Sequence, residues 1–217
     1  MIDYAAARVA MVDRQVRPSD VTRHPIIDAM LEVPRERFAP VALRPVAYAG
    51  EHLPLGDGRV TLDPRTFAKM LEASEVGPED LVLDVGCGLG YSTAVLARLA
   101  GAVVAVESDA GMARTAAATL AELGADTAAV IEAPLAEGAP VHGPYTLILV
   151  NGGIETAPKA LTDQLADRGR MVAIRMRGPW GACEVLTRMG DALIPRRAFD
   201  AAAPVLPGFE RDRSFAF

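Results

Sequence analysis

Short, almost unbroken runs of apolar residues mark the chain from residue 79 onward. A strand that is covered on both faces shows such a run instead of strict alternation. The predicted strands are Leu81–Val85, Ala102–Val106, Thr127–Ile131, Tyr145–Val150 and Arg170–Met176. The predicted helices between them are Tyr91–Ala100, Asp109–Leu123 and Pro158–Ala166. This alternation predicts an α/β fold: a doubly wound, mostly parallel sheet with helices on both faces.

The first 78 residues follow a different pattern, in which amphipathic helices are interrupted by segments rich in proline and glycine. The predicted helices are Tyr4–Val16, Pro25–Leu31, the short turn Pro34–Phe38, and Pro64–Ala73. Asp20 or Thr22 is expected to cap the second helix, and Asp63 to cap the last. The segment Tyr48–Asp63 predicts an irregular loop, because glycine and proline are frequent in it.

These patterns together predict one domain with three parts. Residues 1–78 are expected to form a helical and loop extension that covers a ligand site. Residues 79–176 form the predicted α/β core, and residues 177–217 add terminal strands and a tail. The runs Val185–Arg188 and Leu193–Phe199 predict a hairpin in that last part.

Charge and composition narrow the classes of partner. The chain has 217 residues, with 28 acidic against 22 basic side chains and a net charge of −6. This balance argues against a nucleic-acid or anionic-membrane partner. No apolar run approaches the roughly 18 residues of a membrane span. Two cysteines are too few for a disulfide framework and favour a reducing cytoplasm, and the three histidines lack metal-ligand spacing, so no metal site is expected.

The segment from Asp84 to Tyr91 carries the clearest chemical signal. It places the spacing Gly-x-Gly-x-Gly between a predicted strand and a predicted helix, where glycine lets a ligand approach the backbone closely. Glu107, at the end of the next strand, is suited to accept hydrogen bonds from ribose hydroxyls. A dinucleotide fold has its third glycine one position later, where this chain has Tyr91. A nicotinamide or flavin site and a plain tight turn remain as alternatives.

The glycine loop resembles motif I of methyltransferases that use S-adenosylmethionine (SAM). Further stretches resemble the protein-L-isoaspartate O-methyltransferase family, and the likeness covers roughly residues 8–176. These stretches are Met11–Arg17, Val33–Pro40, Ala47–Tyr48, Leu53–Gly56, Pro144–Tyr145 and Arg168–Arg170. The resemblance implies a SAM-dependent repair enzyme that methylates the free carboxylate of isoaspartyl residues in damaged proteins, leaving S-adenosylhomocysteine (SAH) as the product.

The resemblance and the position of the strand ends give the expected site residues. The expected cofactor-binding residues are Asp84, Gly86, Cys87, Gly88, Gly90, Tyr91, Glu107 and Ser108. The expected acceptor-side residues are Leu62, Asp63, Asn151 and Gly152, the last two because they follow a strand at the switch point of the sheet. No catalytic residue is assigned, because a carboxylate acceptor is already ionised at pH 7 and needs no general base.

Two positions depart from the family pattern. Leu62 stands where the family has a serine at the methyl-transfer site, and Pro134 stands where it has an aspartate that contacts adenine. A methyltransferase with another acceptor, including a small molecule, is therefore one alternative. A SAM-binding sensor with little or no transfer activity is another. The acceptor is a protein, a peptide or a small molecule on these interpretations, and the oligomeric state is left open.

Overall fold

A computed structural model describes residues 2–211. The strands are β1 Leu53–Gly56, β2 Arg59–Thr61, β3 Leu81–Val85, β4 Ala102–Glu107, β5 Ala128–Glu132, β6 Tyr145–Ile154, β7 Leu165–Arg177, β8 Trp180–Met189 and β9 Ala192–Asp200. The helices are α1 Tyr4–Met11, α2 His24–Glu32, α3 Pro64–Ser74, α4 Tyr91–Leu96, α5 Ala110–Glu122 and α6 Lys159–Thr162.

Within this part of the chain, seven strands form one sheet in the order β5-β4-β3-β6-β7-β8-β9. The first five pair in parallel, whereas β8 and β9 continue the sheet in antiparallel fashion. The predicted α/β fold with a mostly parallel sheet is therefore confirmed. Its order reverses between β3 and β6, so the carboxyl ends of β3, β4 and β6 meet at one edge, where open α/β sheets bind ligands.

The sheet is buried on both faces by different parts of the chain. Apolar side chains of α1 to α5 pack with one face, including Val82 and Leu149 of the central strands. The other face packs against α6 and the C-terminal residues Leu206 and Phe209. The N-terminal helices thus share a core with the sheet. Among residues 2–211, no helix is long and apolar enough to cross a membrane.

Of the N-terminal helices, α1 and α3 begin at their predicted residues, α2 begins one residue before the predicted Pro25, and one predicted cap is different. Asp63 caps α3, and its Oδ1 accepts a hydrogen bond from the Thr66 N–H at 2.9 Å. The prediction that Asp20 or Thr22 caps α2 is wrong. The Glu72 carboxylate, from α3, accepts the N–H groups of Thr22 and Arg23 instead. These two N–H groups precede α2, whose N-cap residue Arg23 makes no side-chain capping hydrogen bond, so the start of the helix is held by tertiary contact with α3.

The segment Tyr48–Asp63 is not an irregular loop. It contains β1 and β2, which pair antiparallel around a turn of Gly56, Asp57 and Gly58. All three turn residues have positive φ, which suits the two glycines. We call Leu53–Thr61 the β1–β2 hairpin. Its strands are so short that proline and turn residues dominate the composition and conceal the strand pattern.

The C-terminal elements extend beyond their predicted bounds, whereas α6 covers only part of the predicted helix Pro158–Ala166. The chain after β9 returns to the central strands. Gly153 of β6 donates its N–H to the Pro204 carbonyl at 2.7 Å and accepts the Leu206 N–H at 2.9 Å. This segment therefore lies directly beside the carboxyl edge of the sheet.

Candidate cofactor and acceptor site

Asp84 lies at the carboxyl end of β3 and is fully buried. Its carboxylate accepts hydrogen bonds from Ser92 Oγ at 2.8 Å, Thr93 Oγ1 at 2.6 Å and Asn151 Nδ2 at 2.5 Å. Burial raises the pKa of Asp84 to about 6, although these three donors oppose the shift. The contacts tie β3, α4 and β6 together beneath the glycine loop.

The glycine loop uses glycine where the backbone requires it. Gly86, Gly88 and Gly90 have φ values of +73°, +57° and +96°, which L side chains rarely adopt. Gly90 is the N-cap residue of α4. Between them, the Cys87 thiol is buried, and burial raises its pKa well above the ordinary value, so the group is not a thiolate nucleophile at neutral pH.

The ring of Tyr91 packs between α4 and the N-terminal part of the chain, and it lines a small cavity beside Gly86. Its ring lies 6.0 Å from that of Phe38 and 5.6 Å from that of Phe67, between ring centres. The Arg35 guanidinium lies over the same ring, 4.6 Å from its centre. Tyr91 therefore supports the loop from below.

Glu107, at the end of β4, has a partner that sequence reasoning did not find. Arg59 of the β1–β2 hairpin donates from Nη1 to Oε1 at 2.8 Å and from Nη2 to Oε2 at 2.7 Å. The side chains of Arg59 and Glu107 are 6% and 0% exposed. Glu107 also accepts the N–H groups of Gly88, Ser108 and Asp109 at 2.7, 2.8 and 3.1 Å. Five donors thus occupy the two oxygens of this carboxylate.

Two leucines complete the cover over the loop. A methyl group added to Gly88 would lie 2.6 Å from Leu55 Cδ1, and one added to Gly152 would lie 2.6 Å from Leu206 Cδ2. The remaining cavity, which extends from Leu62 and Tyr91 to Gly86 and Asn151, has a volume of about 10 Å³. That is about the space of one water molecule. The site is closed in this conformation.

Of the expected acceptor-side residues, Leu62 and Asn151 line this small cavity, and each has a structural partner. Leu62 is buried, and its carbonyl accepts a hydrogen bond from Arg35 Nη2 at 2.8 Å. Asn151 is bound to Asp84, and Gly152 lies under Leu206. In place of the adenine-contacting aspartate, Pro134 is followed by buried Leu135, whose Cδ1 lies 3.7 Å from the position of a Gly86 Cβ.

Asp63 pairs with His52 besides capping α3. The His52 Nδ1 lies 3.2 Å from Asp63 Oδ2, and its Nε2 lies 2.9 Å from the Ala202 carbonyl. Burial alone raises the pKa of Asp63, but hydrogen bonds from His52 and Thr66 lower it to about 2. The hydrogen bond to Asp63 raises the pKa of His52. This pair links the hairpin to the segment after β9.

The structure brings the expected cofactor-binding residues together at one edge of the sheet, around the ends of β3 and β4. What sequence reasoning missed is the cover: Leu55, Arg59 and Leu206. A lone arginine in a segment rich in glycine and proline gave no signal for the role of Arg59. Among residues 2–211, no group of three or more His, Cys, Asp or Glu side chains is arranged to hold a metal ion.

The residues at this edge have the types of group that could bind SAM. Glu107 is a buried acceptor placed beside Gly88, and the glycines allow a ligand to approach the backbone. Leu55 lies against Gly88, Leu206 lies against Gly152, and Arg59 is bound to Glu107. The chemistry of the site therefore fits the cofactor.

Comparison with known proteins gives a family. The family model described as protein-L-isoaspartate(D-aspartate) O-methyltransferase matches residues 7–179. A protein-L-isoaspartate O-methyltransferase from Methylorubrum extorquens is 40% identical over 209 residues, covering 95% of this chain and 91% of the relative. One from Methanoregula boonei is 41% identical over 165 residues, covering 76% of each chain.

Solved structures agree in fold. A putative protein-L-isoaspartate O-methyltransferase from Plasmodium falciparum, solved in complex with SAH, has a TM-score of 0.77 at 17% identity. The alignment covers 95% of the present chain and 99% of the solved one. Another protein-L-isoaspartate O-methyltransferase has the same TM-score at 21% identity. That alignment covers 94% of the present chain and 65% of the solved one. The predicted family is confirmed, and the chain belongs to the protein-L-isoaspartate O-methyltransferase family.

Proposed function

We propose that this chain is a SAM-dependent O-methyltransferase that methylates the free carboxylate of isoaspartyl residues in damaged proteins. The observation that carries the proposal is the family match over residues 7–179. The convergence of the glycine loop and Glu107 at the switch point of the sheet supports it, because this is where the cofactor's ribose would be held.

In this function the chain supplies position more than acid–base chemistry. Bound SAM supplies a methyl group on a sulfonium. Glu107 would hold the ribose, and the network around Asp84 keeps the loop in place. The β1–β2 hairpin and the segment at Leu206 exclude water from the loop. Alignment of two reactants in this way contributes as much as about 7–11 kcal/mol to a transfer reaction.

The test is transfer of a labelled methyl group from SAM to a matched pair of peptides, one with an isoaspartyl residue and one with an ordinary aspartyl residue. We expect label on the isoaspartyl peptide alone, and we expect mild base to release it, because a methyl ester is base-labile. Label on neither peptide but on a component of a cell extract would contradict the isoaspartyl proposal and favour another acceptor.

A second candidate is a SAM-binding protein with little transfer activity. The pairing of Arg59 with Glu107 favours it, because the closed site excludes the cofactor until that pair opens. Binding of SAH without transfer to either peptide would support this candidate.

The buried Leu62 separates the two candidates further. Changing Leu62→Ser provides the hydroxyl of the family pattern at the edge of the cavity, and we expect isoaspartyl turnover to rise. The loss of a buried leucine is expected to lower the free energy of unfolding by about 2–5 kcal/mol. The assay therefore belongs at a temperature where circular dichroism shows the variant folded. No rise in turnover would argue against an acceptor near this position.

A further inference from the structure

Arg59 occupies the positions at Glu107 that a ribose requires. Of the five donors to the carboxylate, three are backbone N–H groups of Gly88, Ser108 and Asp109, which the loop geometry fixes. The two from Arg59 come from a side chain. A ribose diol offers two O–H donors, so it replaces the two N–H donors of Arg59 one for one. Ribose and Arg59 therefore exclude each other at this carboxylate.

The hairpin that carries Arg59 is joined to the sheet by side-chain contacts and not by strand pairing. Its strands pair with each other and with no strand of the seven-stranded sheet. Apart from the adjacent residues of the chain, no described residue has a heavy atom within 4 Å of a Cβ position at Gly56 or Gly58, so the turn extends into open space. The closed position also leaves Arg59 Nε buried without a hydrogen-bond partner among the described residues. Within residues 2–211, Glu107 is therefore the only hydrogen-bond partner of the Arg59 side chain.

A displaced Arg59 needs a new anion. A guanidinium in a site closed to water is costly without a partner. The carboxylates nearby are engaged, Asp63 by His52 and Thr66 and Asp84 by its three donors. Asp57 lies exposed at the turn. The anion that the proposed reaction itself brings to this cavity is the acceptor carboxylate, whose two oxygens match the fork of a guanidinium.

We propose that Arg59 couples the two substrates: it leaves Glu107 when the cofactor's ribose binds there, and it then pairs with the carboxylate of the acceptor. The inference rests on the proposed function for its second half, because that function supplies the carboxylate. It makes Arg59 a specificity-determining residue, and it makes cofactor binding a condition for recognising the acceptor. A neutral amide in place of the carboxylate gives Arg59 no partner.

The first half is tested by calorimetric titration of SAH into the full chain and its variants. Arg59→Gln removes the competing cation, and we expect SAH to bind at least about tenfold more tightly than to the unchanged protein. Arg59→Lys retains a cation without the fork, and we expect a smaller gain. Arg65→Gln is the matched control, since Arg65 is exposed on α3, and its SAH affinity is expected to stay unchanged.

Equal or weaker SAH binding by the Arg59 variants would overturn the competition. Arg59→Gln leaves Glu107 with its backbone donors only and is expected to be less stable, so thermal melting with and without SAH accompanies each titration. If Arg59→Gln does not fold, Arg59→Lys carries the comparison by itself, and SAH affinity equal to that of the unchanged protein would then reject the proposal.

The second half is tested with an isoaspartyl peptide and its carboxamide counterpart, each titrated into protein saturated with SAH. We expect the unchanged protein and Arg65→Gln to prefer the carboxylate peptide by about tenfold or more, and Arg59→Gln to lose that preference. A preference that survives in Arg59→Gln would overturn the pairing. Absence of methyl transfer in all proteins would sink the proposed function, whereas the SAH titrations would still decide whether Arg59 competes.

Discussion

Asp84 and Glu107 end adjacent parallel strands, and both side chains are fully buried, yet they are held in different ways. Asp84 is held by neutral donors, two hydroxyls and an amide. Glu107 is held by a guanidinium and three backbone N–H groups. The first arrangement comes from the helix that follows β3 and from the neighbouring strand β6, and it serves the architecture. The second depends on a side chain of the β1–β2 hairpin, which is not paired with the main sheet.

The largest expected effect on stability follows from a substitution at Glu107. Changing Glu107→Gln leaves Arg59 buried without its counter-charge, and we expect the free energy of unfolding to fall by about 3–5 kcal/mol. Urea denaturation at neutral pH measures it. Glu122→Gln is the control, because Glu122 pairs with Arg37 at the surface and its loss is expected to cost less than about 1 kcal/mol. Equal effects at the two sites would contradict the difference between buried and exposed pairs.

Replacing both Arg59 and Glu107 tests whether the buried, unpaired charge causes that loss of stability. We expect Glu107→Gln combined with Arg59→Met to be about 2 kcal/mol more stable than Glu107→Gln alone, because the uncompensated charge is gone. The same urea series gives this value. Additive losses in the double variant would show that the two side chains contribute independently.

Asp84 is expected to make the free energy of unfolding depend on pH. Its pKa of about 6 in the folded protein exceeds the ordinary 3.8, so between these values the folded state binds more protons than the unfolded state. The free energy of unfolding therefore falls as the pH rises from about 4 to about 6. Asp84→Asn removes this slope and changes the stability at pH 7 by about 1 kcal/mol or less, because Asn151 can reverse its amide. Asp163→Asn, at an exposed pair with Lys159, should keep the slope.

His52 gives the smallest expected effect and concerns what holds the hairpin closed. Its raised pKa means that its stabilising contribution is present below the unfolded pKa of about 6.5 and is lost as the pH rises through the higher folded value. For His52→Ala we expect a loss below about 1 kcal/mol at pH 6, since the pair is partly exposed. Melting temperatures at pH 6 and pH 8 measure the effect, and His142→Ala, at an exposed histidine, is the control.

The parts of the fold that depend on local pattern were predictable. The bounds of β3 and the Asp63 cap match the prediction, because continuous burial and capping act over a few residues. The β1–β2 hairpin was missed because strands of three or four residues carry too few positions for a period. The predicted helix Pro158–Ala166 was too long, since β7 already begins at Leu165.

The candidate site divides in the same way. The glycine loop and Glu107 were predictable because their spacing along the chain reflects one strand–turn–helix unit. The Arg59–Glu107 pair joins residues 48 positions apart, and the packing of Leu206 over Gly152 depends on the return of the chain after β9. Such contacts arise from the three-dimensional path of the chain, so no local sequence pattern predicts them. The acceptor-side roles of Leu62, Asp63, Asn151 and Gly152 stay predictions.

The outermost strand of the sheet has a consequence for how copies of this protein meet. β9 forms one edge, and it carries Pro195 followed by the exposed Arg196 and Arg197. Proline offers no N–H to a neighbouring strand, and Arg196 and Arg197, the second of which pairs with Asp200, place charged groups on this strand. A seven-stranded sheet with an open edge is a template for aggregation. These three residues make that edge a poor one to extend, which helps such a sheet to stay dispersed at high concentration.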